Sequence, residues 1–87
     1  MLGDESLAVS ADEDLVALGR EIRRHRKARK LSQEGLAELA YLHRNYIGCL
    51  ERGERNPAAK TLFQISRALG IGLAELVAGV APDTKHD

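Results

Sequence analysis

Residues 41–57 read YLHRNYIGCLERGERNP. Within this stretch His43, Arg44 and Asn45 are consecutive, and Cys49 and Arg52 follow at helical spacing. Arg55 and Lys60 lie just beyond. The chemistry open to these residues is hydrogen bonding to planar, acceptor-rich surfaces and to phosphate. An arginine fork can engage guanine O6 and N7 together, and an asparagine amide can do the same with adenine N6 and N7. Arg52, Arg55 and Lys60, around the following loop, suit phosphate contacts that position a protein without specifying a sequence. Bond-making chemistry is not expected. No nucleophile stands with a base, and there is no paired-carboxylate site, phosphate loop or metal constellation. His25, His43 and His86 belong to distant segments, and Cys49 is the only cysteine. Neither a metal, a cofactor nor a small-molecule ligand is therefore expected, and the chain is read as no enzyme.

Such side chains need a rigid support, and the apolar spacing supplies one. The run ADEDLVALGREIRRHRKARK, residues 11–30, places Leu15, Leu18 and Ile22 on one stripe, which predicts a long first helix. SADE at 10–13 reads as its capping box, with Ser10 at the N-cap. Ser32 caps a second helix that carries Leu36, Ala37 and Ala40 on one face. A third helix is predicted from His43 to about Arg52, anchored by Ile47 and Leu50, with Tyr46 packing at its edge and Gly53 as its stop. GERNPA forms a loop, because the residue before a proline avoids helical dihedrals. AKTLFQISRALG makes a fourth helix through Leu62, Ile65 and Leu69, and GLAELVAG a short fifth between Gly72 and Gly79. No strand pattern of useful length occurs. The second and third helices are joined too tightly for a long hairpin, so they cross steeply as a helix-turn-helix. In that unit the second helix projects its N-terminus into the major groove.

Zero net charge hides a segregated chain. Residues 1–19 carry five acids and no base, whereas residues 20–60 carry eleven bases against five acids, and residues 61–87 are near neutral. The basic middle creates a local field suited to a polyanion. The organisation expected is an acidic leader over 1–9, a helix-turn-helix domain over 10–79 and a tail over 80–87. No run approaches the ~18 apolar residues of a membrane span. The N-terminus lacks a signal-peptide pattern, and a lone cysteine suits the reducing cytoplasm, which is the expected location.

Residues 18–76 closely resemble the lambda-repressor/Cro-like (Xre) helix-turn-helix family. Arg26, Leu31, Ser32 and Gln33 match its R-x(4)-L-S-Q start, and the L-A of the second helix matches as well. The Y-I-x-x-L-E-x-G run and the N-P-x(3)-L that opens the fourth helix complete the resemblance, in the expected order. The resemblance implies an all-α, compact five-helix fold. It also implies that Gln33 clamps a phosphate, that His43, Arg44, Asn45 and the Cys49 position face DNA, and that Arg26 and Glu51 form an ion pair tying helix one to helix three. Within that family, HRNYIGCLERGERNP is similar to the corresponding run of restriction–modification controller proteins. Tyr41 departs from the pattern, because a glycine often makes this turn, so a local difference in the turn is expected. Gly48 also departs, leaving a low-profile patch beside Cys49 on the outward side of the third helix.

The function expected is a sequence-specific, double-stranded DNA-binding transcriptional regulator. One recognition helix reads only a few base pairs, so a homodimer on a near-palindromic operator is expected. Leu73, Leu76, Val77 and Val80 are its candidate interface, shared between core and partner. Two other readings are an antitoxin-type autoregulator with a toxin partner, and a helical protein-interaction module without DNA binding. The bases around Arg44 and Asn45 argue against the second of these.

Overall fold

The computed structural model describes residues 12–80. Among the described residues five helices follow one another: α1 (Glu13–Ala28), α2 (Gln33–Ala40), α3 (Arg44–Glu51), α4 (Ala59–Leu69) and α5 (Leu73–Val77). No strand occurs among the described residues. The all-α expectation and the order of the helices both hold.

The start of α1 differs from expectation. Its cap is Asp12, whose Oδ1 accepts from the amides of Asp14 at 3.0 Å and Leu15 at 3.2 Å. A carboxylate at that position satisfies orphan amides and favours the positive end of the helix dipole. Ser10, the expected cap, lies outside the described residues, as do the whole acidic leader over 1–9 and the tail from 81 onward. At α2 the expected cap is present, with Ser32 Oγ accepting from the Gly35 amide at 2.8 Å. The third helix begins one residue later than expected because His43 is its cap rather than its first turn.

The first four helices stop by a shared device. Lys30, Tyr41, Gly53 and Gly70 all have positive φ. In each case the next amide reaches back five residues: Leu31 to Arg26 O, Leu42 to Ala37 O, Glu54 to Cys49 O and Ile71 to Ser66 O, at 2.9 to 3.1 Å. This left-handed stop satisfies carbonyls that a helix end otherwise leaves free. The turn at Tyr41 therefore keeps the geometry of a glycine turn, with φ 62 and ψ 42, and the local change expected there is absent. A tyrosine fits because its side chain points into solvent and is 87% exposed. The cost is the left-handed penalty of about 1–2 kcal/mol for a residue with a Cβ.

All five helices contribute to one core, made of Leu18, Ile22, Leu36, Ala37, Ala40, Ile47, Leu50, Ile65, Leu69 and Leu76. Gly19 is the contact that lets α1 cross α3 closely. A Cβ there would meet the Leu50 and Glu51 carbonyls. Leu76 is fully buried, which corrects its assignment to a dimer interface. As a long apolar side chain on a five-residue helix, it is what fastens α5 to the rest. Leu73, Val77 and Val80 pack at the edge of the core and stay half-buried.

Candidate nucleic-acid interface

The buried centre of this face is an ion pair. Arg26 of α1 donates from Nε to Glu51 Oε2 at 2.6 Å and from Nη2 to Oε1 at 3.0 Å. Its Nη1 donates to Leu31 O at 2.9 Å, where the chain turns from α1 into α2. Both residues are 8% exposed. Such a pair holds three elements at once, since Arg26 lies on α1, Leu31 before α2 and Glu51 at the end of α3. Desolvation makes it a fastener that tolerates no missing partner. The pairing implied by the sequence resemblance is present.

Gln33 completes the network. Its Nε2 donates one hydrogen to Glu51 Oε1 at 3.1 Å, so the amide is fixed and its second Nε2 hydrogen remains for an external acceptor. Gly48 lies beneath it. An added Cβ at Gly48 would come within 3.2 Å of Arg52 Nη1 and 3.6 Å of Gln33 Oε1. Gly48 is buried, which corrects the expectation of an outward, low-profile patch. It makes room for the side chains of Gln33 and Arg52 to lie across α3. Cys49 is half-buried beside it and accepts from Arg52 Nη2 at 3.6 Å.

His43, Arg44 and Asn45 stand exposed at the leading end of α3. Their position follows from the anchor: Ile47 and Leu50, three residues apart, face the core and turn the first turn outward. Between the two helix N-termini runs an open cleft of about 760 Å³, with Ser32, Gln33, Arg44, Asn45 and Arg52 among its lining residues. Arg44 meets Glu34 at only 3.7 Å, with both side chains in water. Arg52 is engaged more firmly, donating to Glu54 at 2.9 and 3.2 Å. That hydrogen bond, more than the charge itself, holds the Glu54 carboxyl below its ordinary value. Arg55 lies over the Tyr46 ring, 5.4 Å from its centroid, which gives an exposed loop arginine a preferred direction. Lys60 is exposed in the first turn of α4.

The structure thus brings Gln33, Arg44, Asn45, Cys49 and Arg52 to one cleft. His43 lines an adjoining shallow hollow with Glu34, Glu38 and Arg44. Arg55 and Lys60 stand at the loop and helix that follow. Two residues that shape this face escaped the sequence reading. Gly19 was hidden as a small residue within the first helix, and Glu54, which holds Arg52, looked like an ordinary loop acid.

Comparison with known proteins gives a consistent result. The family model described as Helix-turn-helix matches residues 22–76. The chain is 43% identical over 60 residues to control protein C.SmaI of Serratia marcescens, covering 69% of this chain and 71% of that protein. It is 42% identical over 62 residues to the immunity repressor protein of Bacillus phage phi105, covering 71% of this chain and 43% of the phage protein. Among solved structures, the restriction–modification controller protein C.AhdI from Aeromonas hydrophila superposes with a TM-score of 0.74 at 43% identity. That match covers 75% of this chain and 98% of C.AhdI.

Proposed function

The chain belongs to the helix-turn-helix family of DNA-binding transcriptional regulators, and from that premise we propose that it reads specific double-stranded DNA as a homodimer on a near-palindromic operator. The observation that carries this reading is the leading turn of α3, where Arg44 and Asn45 stand exposed on a helix whose other end is locked by Arg26 and Glu51. A rigid helix presenting an arginine fork and an amide has the donors and acceptors that major-groove edges require. Gln33, Arg52, Arg55 and Lys60 supply phosphate contacts around it, and Cys49 faces the groove one turn behind Arg44 and Asn45. Arg44 and Arg52 exchange their exposed carboxylate partners for DNA.

The two-fold arrangement follows from information content, since one such helix covers only a few base pairs. Leu73, Val77 and Val80 offer an apolar edge on and after α5 that a second copy would cover. Replacing Val77 and Val80 with aspartate should give a folded monomer, and sedimentation that still shows a dimer would place the interface elsewhere. The controller proteins among the relatives favour a regulator of a restriction–modification system working in the cytoplasm.

Selection of bound sites from random duplex DNA tests the function. The expected product is an enriched motif with two symmetric half-sites about one helical turn apart, and affinity for it should fall steeply between 50 and 200 mM salt. Failure to enrich any motif, or affinity indifferent to salt, would remove the proposal.

A further inference from the structure

The cap of α3 is a histidine, outside the usual set of Ser, Thr, Asp and Asn. Its geometry determines which ring nitrogen carries the proton. The Asn45 amide can only donate, and it meets His43 Nδ1 at 3.1 Å. Nδ1 therefore accepts, which leaves the ring hydrogen on Nε2 while the cap is formed. Among the described residues no side chain or carbonyl accepts from that Nε2–H. The ring is exposed, immediately ahead of Arg44 and Asn45, and shares its hollow with Glu34, Glu38 and Arg44. A serine in this position would satisfy the same amide but could not reach beyond the helix end. The imidazole does both, because its two nitrogens point in opposite directions.

We propose that His43 is a one-way reader of a base edge, with its inner nitrogen spent on the helix cap and its outer nitrogen left as an obligate donor. In the major groove such a group pairs with an acceptor: guanine O6 or N7, adenine N7 or thymine O4. It rejects cytosine, which presents only its N4 amino donor there. Arg44 shares this preference for acceptors. Asn45 does not, because an amide both donates and accepts. The reading end of α3 therefore has one polarity over its first two residues and a mixed one at the third. The inference rests on the duplex-reading function proposed above.

The test compares the unaltered protein with His43→Ser and His43→Gln on a selected duplex and on every single-base-pair variant of it, alongside melting temperatures. An unaltered protein that binds no duplex selectively would remove the parent function. With selective binding in hand, the unaltered protein should disfavour cytosine at one position by about 3- to 10-fold, the contribution of a single hydrogen bond. His43→Ser keeps the cap and its Tm, yet discrimination at that position should disappear. His43→Gln loses the cap, with Tm falling by about 4–8 °C. Its amide can accept as well as donate, so cytosine becomes tolerated at the same position. A His43→Ser protein with an unchanged base profile overturns the proposal, and so does one that weakens equally on every duplex, since the ring would then touch nothing or only phosphate. A long-range nitrogen–proton spectrum that finds Nε2 without its hydrogen in the folded protein also overturns it.

Discussion

At the leading end of α3, His43, Arg44 and Asn45 are exposed, and the nearest opposite charge, Glu34, meets Arg44 at 3.7 Å with both side chains mostly in water. At the trailing end, eight residues on, Glu51 is buried and accepts three hydrogen bonds, two from Arg26 and one from Gln33. An exposed pair contributes little, so the leading side chains can change partners without disturbing the fold. A buried pair cannot lose a member without stranding a desolvated charge. The same short helix is thus held at one end and exposed at the end proposed to read DNA. The division explains how eight residues can serve both stability and recognition.

The largest break in this contrast should come from the trailing end. Replacing Glu51 or Arg26 by alanine should cost about 3–5 kcal/mol, a large share of a small domain's stability, visible as a collapse of the melting temperature. The joint replacement Arg26→Met with Glu51→Leu should recover most of the loss, because two apolar groups leave no charge unpaired. A double variant as unstable as the singles would show that the pair does more than satisfy its own members. Gly19→Ala should cost about 1–3 kcal/mol by pushing α1 off the Leu50 and Glu51 carbonyls, and denaturant unfolding will measure it.

Smaller effects are expected at the surface. Tyr41→Gly should raise the melting temperature slightly, because the left-handed penalty of about 1–2 kcal/mol outweighs the extra chain entropy of glycine, about 0.5–1 kcal/mol. A lower melting temperature would mean that the exposed ring contributes packing. Glu54→Gln should tighten DNA binding by less than about threefold in titrations, by releasing Arg52 and removing a negative charge near the phosphates. The pH dependence has a definite sign. Arg52 lowers the Glu54 carboxyl in the folded protein, so the pair contributes above the ordinary carboxylate value and is lost as pH falls through the lowered one. Releasing Arg52 by acid should therefore imitate Glu54→Gln, and the substitution should abolish that part of the acid response.

Much of this arrangement was legible in the sequence because it is local or carried by a motif. Ser32 as a cap, Ile47 and Leu50 as an inward pair, and Gly53 and Gly70 as stops follow from spacing and backbone preference. Arg26 with Glu51 followed from the resemblance, since residues 25 apart in the chain offer no local pattern that joins them. The misses share a physical cause. Gly19 matters only because another helix crosses it, and Gly48 only because Gln33 and Arg52 lie across it. Leu76 was assigned to both core and partner surface, and only the packing of α5 onto the other helices gives it to the core. At Tyr41 the expectation erred for a different reason, since an exposed side chain lets the backbone accept a modest strain that a buried one would not. Asp12 over Ser10 as cap is a register difference of two residues, which apolar periodicity resolves poorly because capping residues lie outside the stripe.

The central proposal is that Arg44 and Asn45 at the leading end of α3 read bases, while Glu51 at its trailing end holds the fold. Binding of Arg44→Ala and Asn45→Ala to a selected duplex and its single-base-pair variants tests this most directly, with melting curves recorded on the same samples. Each substitution should leave Tm nearly unchanged and cost about 1–3 kcal/mol at one or two identifiable base pairs, with that position becoming indifferent to sequence. Equal losses on every duplex, or no loss at all, would contradict the account and assign base reading to another part of the molecule.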